Sequence, residues 1–203
     1  MTEGRFPDWT ERYAQGAVAE MPWYHEGLDP DVEAAMSLFG VSSGRVLDMG
    51  SGPGTQAVEL ARRDFSVTGA DVAEGAVTHG RELAARAGVK VDFVHLDLLE
   101  GDLTPLGVPF DLVLDRGLLH AVAPSARREY VRRVAAMVAR GGLLMVKCFS
   151  WREPGEDGPH RFDPEDIRLL FEKDFHLQHV KDTVFHGTLN PPPHALLAVL
   201  RRR

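Results

Sequence analysis

At 203 residues, 44% hydrophobic and 26% charged, the chain suits a single domain with a full core. A formal net charge of −7 works against RNA or DNA as a partner, because phosphates are repelled at long range. No run reaches the ~20 apolar residues of a membrane span, the N-terminus is polar rather than a secretory leader, and the lone Cys148 excludes an internal disulfide framework.

Together these features predict a cytoplasmic protein with no membrane partner. Oligomeric state is not legible in them. Trp9 to Ala19 and Asp31 to Phe39 are helix-like, joined by the aromatic turn Met21-Pro22-Trp23-Tyr24. Residues 1–40 are therefore expected as an N-terminal helical lid segment and 41–203 as the main domain.

From Arg45 onward short apolar runs alternate with helical stretches, the pattern of βαβ units and a parallel sheet. Arg45 to Met49 reads as the first strand, and Gly50-Ser51-Gly52-Pro53-Gly54 closes it. Ala57, Val58, Leu60 and Ala61 recur at helical spacing. Phe65 to Ala70 is a strand ending at Asp71, and Ala73 to Ala87 a helix stopped by Gly88. Val89 to Leu96 reads as a third strand ending at Asp97, and Phe110 to Leu114 as a fourth ending at Asp115.

Ser125 to Ala139 is an amphipathic helix expected to be capped by Ser125 and closed by Gly141-Gly142, before a fifth strand over Leu143 to Phe149. Asp163 and Pro164 are an N-cap and first helical residue. Strands at Phe175 to Lys181 and Ala195 to Leu200 complete a set of seven. Arg201-Arg202-Arg203 is expected as a solvated tail. Loops Ser150 to Arg161 and His186 to His194 are rich in Gly and Pro and are candidate walls of a substrate pocket.

The chemistry concentrates at the glycine loop. An apolar strand runs straight into three alternating glycines, which let the backbone turn sharply and let a ligand approach without a Cβ in the way. Asp71 arrives 21 residues after Gly50, where an acid at the end of the second strand can accept ribose hydroxyls of an adenosine cofactor. The loop is G-x-G-x-G rather than the dinucleotide form G-x-G-x-x-G, and Asp48 just before it is unfavourable beside a pyrophosphate. A carboxylate there suits a cationic amino or sulfonium group. Both differences point to S-adenosyl-L-methionine. Asp97 and Asp115 repeat the logic, each ending a strand at the edge where ligands bind such sheets.

Over Arg45 to Leu200 the chain resembles the class I S-adenosylmethionine-dependent methyltransferases. The resemblance implies a doubly wound α/β fold, a mostly parallel seven-stranded sheet with an antiparallel last strand. It also implies that Gly50, Ser51 and Gly52 lie under the methionine portion, that Asp71 and Asp97 contact ribose and adenine, and that Val72 and the Leu98 backbone flank the adenine. The segment Asp115-Arg116-Gly117 through Pro124, with Arg128 and Tyr130, is similar to the thiopurine and thiol S-methyltransferase group. So are Pro159 to Phe171 and the N-terminal Trp9, Tyr13 and Pro22-Trp23, where aromatics close over the cofactor. Thiopurine enzymes often carry a Leu-Cys-Gly-Lys loop in place of Gly50-Ser51-Gly52, which detaches sulfur specificity from methyl transfer.

On this reading a small-molecule acceptor, a thiol or heteroaromatic sulfur among the candidates, takes the methyl by in-line displacement. Arg116 is the candidate charge that favours a thiolate or orients an anionic acceptor, with pairing to Asp115 or another acid as its alternative. His120, at i+4, is the candidate base. A nicotinamide oxidoreductase on a similar sheet and a noncatalytic S-adenosylmethionine-binding module remain rival readings. No metal is expected, since His176, His179, His186 and His194 fit no tight ligand spacing and the first two, i and i+3 in a strand, are expected on opposite faces.

Overall fold

The computed structural model describes residues 8–14, 17–155 and 158–203. Residues 1–7 of the expected lid, 15–16 of the expected first helix and 156–157 of the expected pocket loop lie outside these. The strands are β1 (Arg45–Met49), β2 (Ser66–Asp71), β3 (Asp92–His95), β4 (Phe110–Arg116), β5 (Val138–Phe149), β6 (Phe175–Val184) and β7 (His194–Arg202). They form one sheet in the order β3-β2-β1-β4-β5-β7-β6. β1 to β5 pair in parallel, and β7 runs antiparallel to both β5 and β6. This is the doubly wound arrangement with an antiparallel last strand, and its order reverses around β1 and β4.

Each strand alternates its side chains between two helical layers. Leu47, Val113, Leu144 and Leu196 face one cluster with Tyr130, Val134, Ile167 and Phe171, which come from α5 (Arg127–Met137) and α6 (Pro164–Phe171). Val46, Leu112, Met145 and Leu197 face the other with Val32, Met36, Val58 and Val77. Those side chains come from α2 (Pro30–Leu38), α3 (Thr55–Ala61) and α4 (Glu74–Ala87). α2 is thus part of a core layer although it lies inside the 1–40 segment. The aromatic cover is confined to α1 (Trp9–Ala14), a 3-10 turn at Val18–Glu20 and the turn after it.

Local chemistry explains most boundaries. Asp163 and Asp166 form a reciprocal capping box with Pro164 at the first turn of α6. Asp29 caps α2 through the Asp31 N–H, again with Pro at the start. Gly88 ends α4 in the left-handed conformation, and Val89 stays tied to that end through Ala84 O, so β3 begins only at Asp92.

Four expectations are corrected. Ser125 does not cap α5: Pro124–Ala126 is a 3-10 turn and the cap position is Ala126, with no side-chain cap bond. The helix does not reach Gly141-Gly142, because Val138 already pairs with Phe110, and the register then skips to Leu143 opposite Leu112. The terminal arginines are not a free tail: Arg202 bonds Ala135 O and Asp174, and Arg201 bonds Gly141 O. A bulge between Leu177 and His179 puts Leu177 and Val180 both against the α5–α6 cluster, so His176 and His179 share the opposite face.

Candidate active site

The glycine loop leaves β1 at the point where the strand order reverses, the usual ligand crevice of such sheets. Gly50, Gly52 and Gly54 have φ of 61°, 51° and 80°, a region L side chains enter at a cost. Asp71, at the end of β2, steadies the loop by accepting the Gly52 N–H at 2.8 Å and its own turn's Ala73 N–H at 2.9 Å. Burial raises its carboxyl above the usual range. A carboxylate has about four acceptor sites, so Asp71 keeps capacity for further donors.

Asp48 sits on the α2–α3 face of β1, 2% exposed. Among the described residues its Oδ2 has no hydrogen-bond partner, and neither does the buried Ser51 Oγ. Desolvation pushes the Asp48 carboxyl up to about 7, against the pull of Arg116. Buried polar atoms are rarely left unmade. Two of them beside an open-backbone loop mark a place that a cationic, hydrogen-bonding group would fit. Val72, 42% exposed, follows Asp71 as an uncovered apolar ledge, and His95 Nε2 anchors its carbonyl at 2.9 Å.

Over the loop lies an aromatic cover. Trp23 Nε1–H donates to Tyr13 Oη at 2.8 Å, Trp9 meets Trp23 edge-on at 5.4 Å, and these side chains pack on Ala73 and Ala76. Tyr13 Oη approaches Gly52 so closely that a Cβ there would stand 2.7 Å away. Burial and the nearby Asp71 raise the Tyr13 phenol well above its ordinary value.

The remaining candidates lie at or just past the ends of β3 and β4. Asp97 lies two residues past the end of β3 and caps the next turn, accepting from Leu99 and Glu100 N–H. The Leu98 side chain is buried and its carbonyl accepts from Arg133 Nε at 2.6 Å. Asp115 stands at the carboxyl end of β4, opposite Met49 of β1, but its side chain is turned toward α5. It is fully buried and accepts from Gly117, Leu118 and Leu119 N–H and, at 2.5 Å, from Tyr130 O–H. Its acceptor sites are filled, and its carboxyl is pushed up to about 6 by burial. It staples the turn after β4 to α5.

Arg116 and His120 do not share a helical face, because the chain between them passes through Gly117, at a φ of 108°, and a 3-10 turn. Arg116 pairs with Asp29 rather than Asp115: Nε donates to Asp29 Oδ2 at 2.8 Å, Nη1 to Trp23 O at 3.0 Å and Nη2 to His186 O. His120 packs edge-on against Phe149 and Phe185 at 4.9 and 5.3 Å. Its Nδ1 accepts the Phe149 N–H at 3.3 Å, and burial pushes its pKa down to about 3. It is neutral, and its remaining proton is on Nε2.

Sequence reasoning missed Lys147, Asp29 and Asp31. Lys147 is register partner of Arg116 across β4 and β5, so both cations point to the α2 face. Lys147 Nζ, wholly buried, donates to both Asp29 oxygens at 2.8 Å and to Asp31 Oδ2 at 2.7 Å. Lys181 and Thr183 on β6 complete Asp31 at 2.9 and 2.5 Å. Burial opposes ionisation of both acids, yet Lys147 and its neighbours hold them below the ordinary carboxylate range. Asp29, Asp31 and His186 bring ligand atoms close enough for a metal, but the Lys147 ammonium stands among the two carboxylates. A lysine inside an apolar strand, with Asp-Pro-Asp upstream, was the available signal.

Comparison with known proteins fits this geometry. Residues 46–142 match the family model described as a methyltransferase domain. The match spans just under half of the chain, and with the sheet and the glycine loop it supports an S-adenosylmethionine-dependent methyltransferase with S-adenosylmethionine as cofactor. Among its relatives, it is 25% identical to a thiopurine S-methyltransferase of Legionella pneumophila over 85% of this chain and 83% of the relative. It is 27% identical to a 2-heptyl-1-hydroxyquinolin-4(1H)-one methyltransferase of Mycobacteroides abscessus over 77% of this chain and 69% of that one. A 1,6-didemethyltoxoflavin-N1-methyltransferase of Burkholderia thailandensis, solved with S-adenosylhomocysteine, superposes at a TM-score of 0.75, covering 96% of this chain and 85% of its own at 22% identity. Among the described residues no helix is long and apolar enough to cross a membrane.

Proposed function

We propose that the chain methylates a small cytoplasmic acceptor at a thiol or heteroaromatic sulfur, and that the loop described above holds the methyl donor. Gly50, Ser51 and Gly52 take the methionine portion, with Asp48 facing its cationic groups. Asp71 takes the ribose, Val72 and the Leu98 backbone flank the adenine, and Asp97 borders that end. Trp9, Tyr13 and Trp23 close over it, so the lid is the stretch before α2 rather than all of residues 1–40. The observation that carries this reading is the buried, unpartnered Asp48 Oδ2 beside the Ser51 Oγ. Sulfur is favoured by the likeness to a thiopurine S-methyltransferase, which spans most of both chains.

The cofactor supplies an electrophilic methyl on a sulfonium. The protein's part is alignment near ~3 Å and exclusion of water. Phe149 and Phe185 pack 5.2 Å apart at the ends of β5 and β6, forming an apolar wall at the acceptor edge. The cluster behind that wall, with Arg116, Lys147 and Lys181 against Asp29 and Asp31, has one more cation than carboxylates and so favours the thiolate form of an arriving thiol. His120, holding its proton on Nε2, orients the acceptor as a donor and does not serve as a base.

Labelled S-adenosylmethionine incubated with matched heteroaromatic thiols, phenols and amines tests this. Transfer to the thiols alone is expected. Transfer only to oxygen or nitrogen acceptors overturns the sulfur assignment and leaves the donor site standing.

A further inference from the structure

Four successive carbonyls of the turn beneath the aromatic cover are held from the acceptor side of the sheet. Thr188 Oγ donates to Met21 O at 3.2 Å and to Glu20 O at 3.5 Å, and Thr188 N–H donates to Pro22 O at 3.2 Å. Arg116 Nη1 takes Trp23 O at 3.0 Å, while Nη2 of the same guanidinium takes His186 O. Between these contacts, a Cβ on Gly187 would overlap the Pro22 carbonyl oxygen, so only glycine allows the two segments to lie this close. The side chains of the same turn point the other way. Met21 and Trp23 pack with Tyr13 on Ala73 and Ala76, and Trp23 Nε1–H fixes the Tyr13 hydroxyl above Gly52.

We infer that the 186–188 loop is a positioning element for the cofactor cover, acting through Gly187, Thr188 and Arg116 on the backbone of residues 20–23. The inference rests on the cofactor reading above and adds a coupling to it. Trp23 is the joint: its carbonyl belongs to the acceptor side and its indole to the cofactor side. A loop that follows β6 and reaches the cover through the backbone of residues 20–23 therefore sets how well the cover fits. Rigid packed segments transmit such displacements because a close-packed contact cannot deform freely. Whatever shifts the 186–188 loop, an arriving acceptor included, shifts cofactor affinity, and the effect is reciprocal.

The test uses the full chain with Trp151→Phe as background, so that Trp9 and Trp23 are the remaining indoles. S-adenosylhomocysteine is titrated by calorimetry and by indole emission into that chain and into its Gly187→Ala, Thr188→Val and Leu189→Ala forms. Gly187→Ala is expected to weaken binding about tenfold and to shrink the emission change, and Thr188→Val to weaken it about fivefold, within the range of typical coupling energies. Leu189→Ala, an exposed neighbour, should bind as the background does. Unaltered affinity and emission response in a Gly187→Ala chain that melts like the background overturns the inference. If that variant does not fold, unaltered binding by Thr188→Val overturns it equally. A background chain that takes up no S-adenosylhomocysteine at millimolar levels overturns the cofactor reading, and this inference falls with it.

Discussion

Two buried acid clusters stand about the same sheet edge and are built in opposite ways. Around Lys147, every carboxylate oxygen of Asp29 and Asp31 has a donor, from Lys147, Arg116, Lys181, Thr183 or the Asp31 N–H. Around the glycine loop, Asp48 Oδ2 and Ser51 Oγ have none among the described residues. Burial is similar in the two places, so desolvation cannot be the difference. The saturated cluster is held ionised by its own cations. The starved one carries a carboxyl raised to about 7 by desolvation, which the pull of Arg116 does not offset. Satisfied networks specify structure, and a buried acid with a strongly perturbed pKa in a crevice marks function.

The comparison breaks most visibly at Lys147. Lys147→Met leaves two buried carboxylates sharing Arg116 and Lys181, and removing one partner of such a cluster costs about 3–5 kcal/mol. Thermal melts should show that loss. Lys147→Met combined with Asp31→Asn keeps the Asp29–Arg116 pair and removes the carboxylate that lost its buried partner, which returns the cluster to its original charge, so most of the stability should return. If the single variant melts with the wild type, the cluster is not the brace described.

Next comes Asp48. Asp48→Asn removes a charge-assisted contact worth about 1.5–3 kcal/mol, so S-adenosylhomocysteine should bind about tenfold to a hundredfold more weakly. The pH dependence has a fixed sign. A ligand cation favours the ionised carboxylate, so affinity should rise with pH through about 7, and Asp48→Asn should flatten the curve. For folding the sign reverses. The folded chain keeps a proton on Asp48 that the unfolded chain, with an ordinary value of about 3.9, has already lost. Stability therefore falls as pH rises from about 4 to about 7. Asp115, raised to about 6, adds to that slope and should still do so in the Asp48→Asn variant. Calorimetric titrations and urea melts at several pH values check both signs.

Smaller effects sharpen the contrast. Tyr130→Phe removes one of four donors to Asp115 and should cost about 1–2 kcal/mol in urea melts, with S-adenosylhomocysteine affinity unchanged, since Asp115 staples the turn to α5. Lys181→Ala, at a half-exposed ammonium, should change stability by less than about 1 kcal/mol. A large loss there would mean that the cluster depends on its solvent-facing member.

The glycine loop, the acids at strand ends and nearly every strand were legible because they are local. An apolar run followed by Gly50-Ser51-Gly52, and Asp71 at the end of the next run, are fixed by periodicity and backbone sterics. What the sequence left open also shares a cause. Asp97 and Asp115 read alike in sequence, yet one caps a turn beside the crevice and the other points into the α5 layer, where Tyr130 waits. Arg116 and His120 were placed on one face by a helical spacing that the left-handed Gly117, φ 108°, does not allow.

By itself, then, the sequence determined the sheet, the loop that opens its edge and the acid beneath that loop, since each depends on neighbours a few residues away. Only the tertiary structure decided which charges are spent inside the protein. Lys147 meets Asp29 across a separation of 118 residues, and Gly187 meets Pro22 across most of the chain. Such contacts are set by strand order and layer packing, and no local rule carries that information.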